Sequence, residues 1–580
     1  MTSDSSACRR SGRRFLAVAV LLAVSSVGID VVLSATRPAV RAEHGMVVSA
    51  DALATGVGVQ VLRDGGNAVD AAVAVAFALA VTFPEAGNLG GGGFLLYRSP
   101  GGEHFALDFR ETAPRALRAK DFVDEQGDPV PGLSERGGLA VGVPGTVAGL
   151  AEAHRKWGSL PWGSLLAPAI SIAEDGFPVS RRTAGSLSRF EAELAAEPST
   201  RAIFFRDGRL LSKGERLARP ALAATLQRIA AEGSAGFYEG PVADAVIRTV
   251  RRAGGVMEPD DLTAYRPVFR RPLERTYRGH RVVTFPPPGG GVVLLQILGM
   301  LERYDPADSG YASSMTIHRT AEAMRRAYAD RSRWLGDPES FDNRVEALLD
   351  PDYLASRAGS IRKRKATPSR KVRPSDSLPL RPTETTHLSV ADREGGAVAL
   401  TTTLNYYFGA FLVAEGTGVL LNNEIDDFSL APGAPNLYGL VGGEANAVRP
   451  GKRPLSSMTP TIVEPRGGGA RPLLVLGSPG GSKITTAVLQ VLVNVIDHRM
   501  PLQEAVDAPR FHHQWLPDRI DHEPRTLPAD VARALEARGH RLAERKAIGN
   551  VNTIGIDADG AWLGAADPRR GGLAEGYASE

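Results

Sequence analysis

Thr385-Thr386-His387-Leu388-Ser389 opens a new composition regime in this chain, just after a basic, proline-studded run. Residues 387–391 and 397–404 are rich in β-branched and small apolar side chains. Arg393-Glu394-Gly395-Gly396 between them is a hairpin signal. A threonine hydroxyl at the head of such a strand is a poor nucleophile unless a base stands beside it. Cutting the chain immediately before the threonine supplies one. The freed α-amine, with an ordinary pKa of about 8, can take the hydroxyl proton. The stretch therefore reads as a masked N-terminus, and the chain as a precursor that cleaves itself.

Outward from this point, strand and helix signals alternate in blocks. Residues 47–63 and 68–82 have helical length and composition, and Asp64-Gly65-Gly66-Asn67 provides a stop and a new cap. A glycine-rich run at 87–93 leads into a strand at 94–98. Its hairpin partner is 105–109, across Pro100-Gly101-Gly102. Residues 145–270 are mostly helical by pattern. A strand at 282–285 ends in Pro286-Pro287-Pro288-Gly289-Gly290-Gly291, and helical patterns resume at 292–304 and 315–334. After the hairpin, strands are expected at 418–422, 460–464, 473–476, 553–557 and 562–566, and helices at 485–498, 502–508 and 529–538. Such blocks predict sheets covered by helical layers.

The 580 residues carry 68 basic and 65 acidic side chains, a net charge of +3, which is no polyanion-binding signature for the chain as a whole. The run at 362–373 is basic but carries no interleaved aromatics, so it reads as a solvated linker and not as a nucleic-acid patch. The single cysteine, Cys8, excludes a disulfide framework and a cysteine metal site. The eleven histidines show no HExxH-like spacing, and no structural metal is expected. Arg9, Arg10, Arg13 and Arg14 precede an apolar run at 15–33, and Val40-Arg41-Ala42 offers a small-x-small cleavage site. Residues 1–42 therefore read as an export signal to the periplasm or the outside. The alternative is a retained anchor, since 15–33 approaches the span of a bilayer.

Six motifs in order give a resemblance. They are Gly65-Gly66-Asn67-Ala68-Val69-Asp70-Ala71-Ala72, the stretch from Leu107-Asp108-Phe109-Arg110-Glu111 to Pro114, Thr385-Thr386-His387, the stretch from Leu421-Asn422-Asn423-Glu424 to Phe428, Pro454-Leu455-Ser456-Ser457-Met458, and Gly477-Ser478-Pro479-Gly480-Gly481-Ser482. Together they resemble the γ-glutamyltranspeptidases, N-terminal-nucleophile hydrolases, from about Gly45 to Tyr577. The resemblance implies an α/β (α+β) fold, the four-layer αββα sandwich. It also implies a large subunit of 43–384 and a small one of 385–580, which associate as a heterodimer forming one intertwined domain.

The same resemblance implies the site. Thr385 would be the nucleophile both for self-cleavage after Glu384 and for attack on a γ-glutamyl amide. Thr403 would orient it, and the backbone N–H groups of Gly480 and Gly481 would form the oxyanion hole. Arg110, with Ser456 and Ser457, would hold the substrate α-carboxylate, a task that suits a guanidinium fork. Asn405, Glu424 and Asp427 would hold the α-ammonium. Position 424 varies between Glu and Gln in the family. Residues 432–443 resemble a lid loop, with Tyr438 over the bound glutamyl group. His512-His513 would be structural. No cofactor is implied. The partners implied are glutathione or another γ-glutamyl donor, with an amino acid, dipeptide or water as acceptor.

Two other readings stand beside this one. A glutaryl or cephalosporin acylase on the same fold would have no use for the acceptors at 405, 424 and 427, because a glutaryl group lacks the α-amine. An unprocessed exported amino-acid-binding protein would need no Thr385, Thr403 or paired glycines.

Overall fold

The computed structural model describes residues 37–372, 385–431 and 436–578. The expected signal or anchor at 15–33, Glu384 and the first part of the expected lid lie outside the described residues. No described helix is long and apolar enough to cross a membrane.

The strand Thr385–Ala391 has every position buried, and so has its partner Ala397–Thr403. A strand covered on both faces must bury both sets of alternating side chains, and this one does. Leu388 and Val390, with Val398 and Leu400, join a core shared with the helices Ala52–Arg63 and Ala68–Thr82. The intervening Ala391, Ala397 and Ala399 pack the other way, with Phe94, Val283, Ile462, Val475 and Ile554. Small residues there let a second sheet approach, and Phe94 stacks on Phe285 at 4.3 Å between the two.

Each sheet has seven strands, all antiparallel. In the nucleophile's sheet the order is Leu573–Tyr577, Gly45–Ser49, Thr385–Ala391, Ala397–Thr403, Gly92–Arg98, His104–Phe109, Val268–Arg270. In the companion sheet it is Val40–Ala42, Trp562–Ala565, Asn552–Ile556, Leu474–Gly477, Thr461–Glu464, His280–Thr284, Leu273–Tyr277. The outer face of the companion sheet, through Val282, Val463, Leu474 and Leu476, packs on the helices Gly291–Leu301, Ser314–Trp334 and Ile484–Ile496. Three separate cores thus lie between four layers, helix, sheet, sheet, helix: the αββα sandwich.

Most elements fall where the sequence puts them. The helix Ala68–Thr82 carries its cap at Asn67, whose side chain accepts from the Val69 and Asp70 amides in a capping box. It is buried all round because it is the inner helix of its layer. One expected helix is different. Residues 47–63 do not form a single helix: Gly45–Ser49 is a strand, and the helix starts at Ala52 after an Asp51 cap. A short apolar run has no periodicity that tells strand from helix. Pairing of Met46, Val47 and Val48 with Ala391, Val390 and Ser389 decides it. The strands Val40–Ala42, Val268–Arg270, Leu273–Tyr277 and Leu573–Tyr577 were not anticipated. The first pairs with Trp562–Gly564, so the folded body begins ahead of Glu43. In the basic run, Arg362 to Lys365 are exposed as expected. Ala366, Ser369 and Val372 are buried, and the Trp515 indole donates to the carbonyls of Ser369 and Val372 at 3.0 Å.

Candidate active site

Hairpin register sets the first contact. Thr385 stands directly opposite Thr403, and their hydroxyl oxygens lie 3.3 Å apart. Alternation places both on the same face as Ser389, whose hydroxyl reaches the carbonyls of Val475 and Asn552 on the companion sheet. The two threonines therefore face the space between the sheets, at its end. The Asn405 amide donates to Thr403 Oγ1 at 2.8 Å, which fixes that hydroxyl. Asn405 takes φ +71°, a conformation that asparagine tolerates better than most residues.

Around Thr385 one pocket gathers Thr403, Arg110, Glu424, Asp427, Tyr438, Ser456, Ser457 and Gly481. These come from segments far apart in sequence. Asn405 and Gly480 do not line it: Asn405 bonds Thr403 and Tyr438, which do, and Gly480 precedes Gly481. Arg110 leaves the end of the strand His104–Phe109, with its amide donating to Asp108 Oδ1 at 2.9 Å. Its Nε donates to the Pro454 carbonyl at 3.3 Å, next to the serine pair. Glu424 and Asp427 open and close one turn of 3₁₀ helix, Glu424–Asp427, and both reach Arg110 at 2.5 Å.

Electrostatically the cluster is acid-rich. Glu111 lies 3.6 Å from Arg110, so three carboxylates share one buried guanidinium. Burial raises the pKa of Glu424 well above the ordinary range, and Arg110 only partly offsets it. Burial likewise raises Asp427, and raises Glu111 to about 7. For Arg110 burial opposes the charge, but Glu424, Asp427 and Glu111 outweigh it and hold the guanidinium ionised.

The described part of the segment expected to form a lid is tied down at several points. The Leu437 amide donates to Asp426 Oδ2 at 2.9 Å, and Asn436 Nδ2 donates to Asp427 Oδ1 at 3.0 Å. The Tyr438 hydroxyl donates to the Asn405 carbonyl at 2.7 Å and also touches the Asn405 carboxamide oxygen. Gln514 Nε2 donates to the Tyr438 carbonyl at 3.1 Å, and His512 Nε2 in turn holds Gln514 Oε1 at 2.8 Å. Burial pushes the His512 pKa down to about 4, so it serves as a neutral strut and not as a base at neutral pH.

The strand Leu474–Gly477 runs into Gly480 at φ +133° and Gly481 at φ +55°, both in the region that favours glycine. A Cβ on Gly480 would come within 3.2 Å of Gly549 Cα. The turn Gly481–Lys483 then starts the helix Ile484–Ile496, whose N-terminal dipole favours negative charge at the pocket.

Sequence reasoning missed Glu111 as a member of the cluster, although it is adjacent to Arg110 in the same motif. It also missed Arg331, whose Nη2 lies 3.4 Å from Ser457 Oγ. Arg331 is one of several arginines on a 21-residue helix, and no local signal marks it. Among the described residues one group, His318, Glu322 and His540, has metal-ligand proximity. His318 Nδ1 bonds His540 Nε2 at 2.7 Å, and Glu322 is taken by Arg325, Arg326 and Thr367, so these groups satisfy one another.

The family model described as gamma-glutamyltranspeptidase matches residues 54–577. The chain belongs to the γ-glutamyltranspeptidase family. Among curated relatives of this γ-glutamyltranspeptidase-family chain, the glutathione hydrolase proenzyme of Escherichia coli is 48% identical over 532 residues, 91% of each chain. A solved cephalosporin acylase from Bacillus halodurans matches with a TM-score of 0.82 at 30% identity, covering 94% of this chain and 98% of its own. Helicobacter pylori γ-glutamyltranspeptidase matches at 40% identity with a TM-score of 0.56, covering 59% of this chain and 97% of the solved one.

Proposed function

We propose that this chain is a self-cleaving γ-glutamyltransferase and glutathione hydrolase that works through a γ-glutamyl-threonine ester. The observation that carries the reading is the convergence of Thr385, Thr403, Gly481 and a zwitterion clamp on one pocket. In maturation, Thr385 Oγ1 attacks the carbonyl of Glu384, the peptide bond becomes an ester, and hydrolysis releases the α-amine of Thr385. The large subunit, which ends at residue 384, and the small one, 385–580, stay together because their strands alternate within one sheet, and no cofactor takes part. Support comes from the pairing of Thr385–Ala391 with Gly45–Ser49 and of Ala397–Thr403 with Gly92–Arg98. The apolar run at 15–33 supports export ahead of cleavage.

In turnover the free α-amine takes the Oγ1 proton as that oxygen attacks the γ-carbonyl carbon of the donor. The Gly480 and Gly481 amides stabilise the oxyanion, a contribution worth about 100- to 1,000-fold per donor. The leaving amine takes the proton, and water or an acceptor amine then cleaves the ester. Arg110, Ser456 and Ser457 receive the α-carboxylate while Asn405, Glu424 and Asp427 receive the α-ammonium.

The structural match to a cephalosporin acylase favours a second reading, glutaryl or cephalosporin acyl transfer on the same fold. The Glu424 and Asp427 carboxylates that line the pocket weigh against it, since a glutaryl group offers them no cation. One experiment tests both readings. Wild-type protein is expected to run as two bands and to release anilide from γ-glutamyl anilide but not from glutaryl anilide. Thr385→Ala is expected to run as one band without activity. An uncut wild type with full activity defeats the self-cleavage mechanism, and glutaryl preference defeats the clamp.

A further inference from the structure

Arg331 is set apart from other buried arginines by what it lacks. Arg98 meets Glu464 and Arg510 meets Asp567, each at 2.8 Å, and Arg326 meets Glu322 at 2.7 Å. Arg219 has no acid beside it but donates to the carbonyls of Ala80, Val81 and Gly418. Arg331 is 5% exposed. Among the described residues its side chain has no ion pair and one hydrogen bond, from Nη2 to Ser457 Oγ at 3.4 Å. Burial lowers its pKa against the pull of Tyr328 and Asp427, yet a guanidinium keeps its proton. A buried cation without an acid partner is costly, so stability gives no reason to hold one there.

Its surroundings say what it faces. Arg331 lies in the last turn of the helix Ser314–Trp334. Tyr328, three residues earlier on the same face, donates its hydroxyl to the Ser482 carbonyl. One helix face thus touches two walls of the nucleophile's pocket, at Ser482 and at Ser457. Arg331 also lines a small adjoining void with Asn436 and Asn446, and Asp427 and Leu440 line that void and the pocket alike. The two pocket serines are bonded in the same way. Ser456 Oγ accepts the Met458 amide at 3.1 Å, and Ser457 Oγ accepts Arg331. Neither hydroxyl donates to a described residue, so each keeps its single O–H for a group that enters the pocket.

We propose that Arg331 is a positioning residue for the donor's α-carboxylate: it fixes Ser457 as a hydrogen-bond donor to that group and holds its positive charge behind the serine. The inference deepens the γ-glutamyl reading and rests on it. Arg110 is shared among Glu111, Glu424 and Asp427, so an entering α-carboxylate competes with three others for it. No described carboxylate pairs with Arg331, and its field is left for the substrate. A donor without an α-carboxylate gains nothing from it.

The test compares wild type, Arg331→Met and Arg331→Lys on γ-glutamyl anilide and on 4-aminobutyryl anilide, which keeps the amine but lacks the α-carboxylate. Arg331→Met is expected to raise KM for γ-glutamyl anilide about tenfold with kcat nearly unchanged, and to leave kcat/KM for 4-aminobutyryl anilide at the wild-type value. Arg331→Lys is expected to recover part of the loss. In a Ser457→Ala background Arg331→Met is expected to raise KM clearly less, because its effect passes through the hydroxyl. Urea unfolding is expected to place Arg331→Met at or above wild type, since the substitution removes a buried cation that has no acid. A lower midpoint shows a structural role and overturns the proposal. So does an unchanged KM, an equal loss on both donors, or full additivity with Ser457→Ala. Failure of wild type to release anilide from γ-glutamyl anilide instead defeats the functional reading. Calorimetry with L-glutamate and 4-aminobutyrate then still decides Arg331. Glutamate binding about tenfold weaker in Arg331→Met, with 4-aminobutyrate unchanged, supports the proposal. Equal glutamate binding by the two proteins, or none by wild type, overturns it.

Discussion

The Arg110 guanidinium and the Asp427 carboxylate, 317 residues apart in sequence, meet at 2.5 Å. The donor half and the acceptor half of the proposed clamp are thus bonded to each other. An α-amino acid enters such a pair by exchange, its carboxylate taking N–H groups of Arg110 and its ammonium taking Asp427. Charge stays balanced throughout, so binding need not strand a buried ion.

That balance predicts an asymmetry between the two partners. Asp427→Asn leaves Arg110 with Glu424 and Glu111, so the fold and self-cleavage should persist while KM for γ-glutamyl anilide rises about tenfold or more. Arg110→Met leaves three buried carboxylates without their shared cation, and breaking such a pair costs about 3–5 kcal/mol. Urea unfolding should show Arg110→Met as clearly the less stable of the two. Equal stabilities would contradict the shared-cation picture.

Thr403 Oγ1 sits between Thr385 Oγ1 at 3.3 Å and the Asn405 amide at 2.8 Å. Thr403→Val keeps the shape but removes both bonds and leaves a buried amide unpaired, at a cost of about 1–3 kcal/mol. The rates of self-cleavage and of turnover should both fall, by about 10- to 100-fold. Thr403→Ser should recover most of that loss. If Thr403→Val cleaves at the wild-type rate, the hydroxyl has no orienting role.

How much of this was legible in sequence depends on how local each signal is. The Asn67 cap, the hairpin from Thr385 to Thr403 and the Gly480-Gly481 turn are local, and they lie where short patterns place them. The strand Gly45–Ser49 was not legible, because Met46 to Val48 become a strand only by pairing with residues more than 300 positions away. Arg331 beside Ser457 was not legible either, since helix packing brings it there. The bond between Arg110 and Asp427 could not be read at all: the motifs name both residues as binding groups, but only the fold makes them partners.

Gly480 offers a test of the oxyanion turn that leaves every side chain in place. At φ +133°, with Gly549 Cα 3.2 Å from an added Cβ, alanine is strained both in backbone and in space. Gly480→Ala should tilt the amide and lower kcat for the anilide by about 100-fold, with KM nearly unchanged because the clamp is untouched. A large rise in KM with kcat preserved would move Gly480 from oxyanion stabilisation to substrate binding.

The carboxylate cluster makes stability and affinity respond to pH in opposite senses. Burial raises the Glu111 pKa from 4.5 to about 7 against the pull of Arg110, so the folded state keeps a proton that the unfolded chain has lost over that window. The stabilisation is fully present below the unfolded value and is lost as pH rises through about 7. Glu111→Gln is neutral throughout. Its unfolding free energy should lack that decline, and the difference from wild type should change by on the order of 3 kcal/mol across the window. Recognition of the substrate ammonium runs the other way, because deprotonation adds negative charge beside it. In wild type KM should fall as pH rises towards about 7, and in Glu111→Gln that step should shrink. Parallel pH curves for the two proteins, in both stability and KM, would show that Glu111 does not titrate within the cluster.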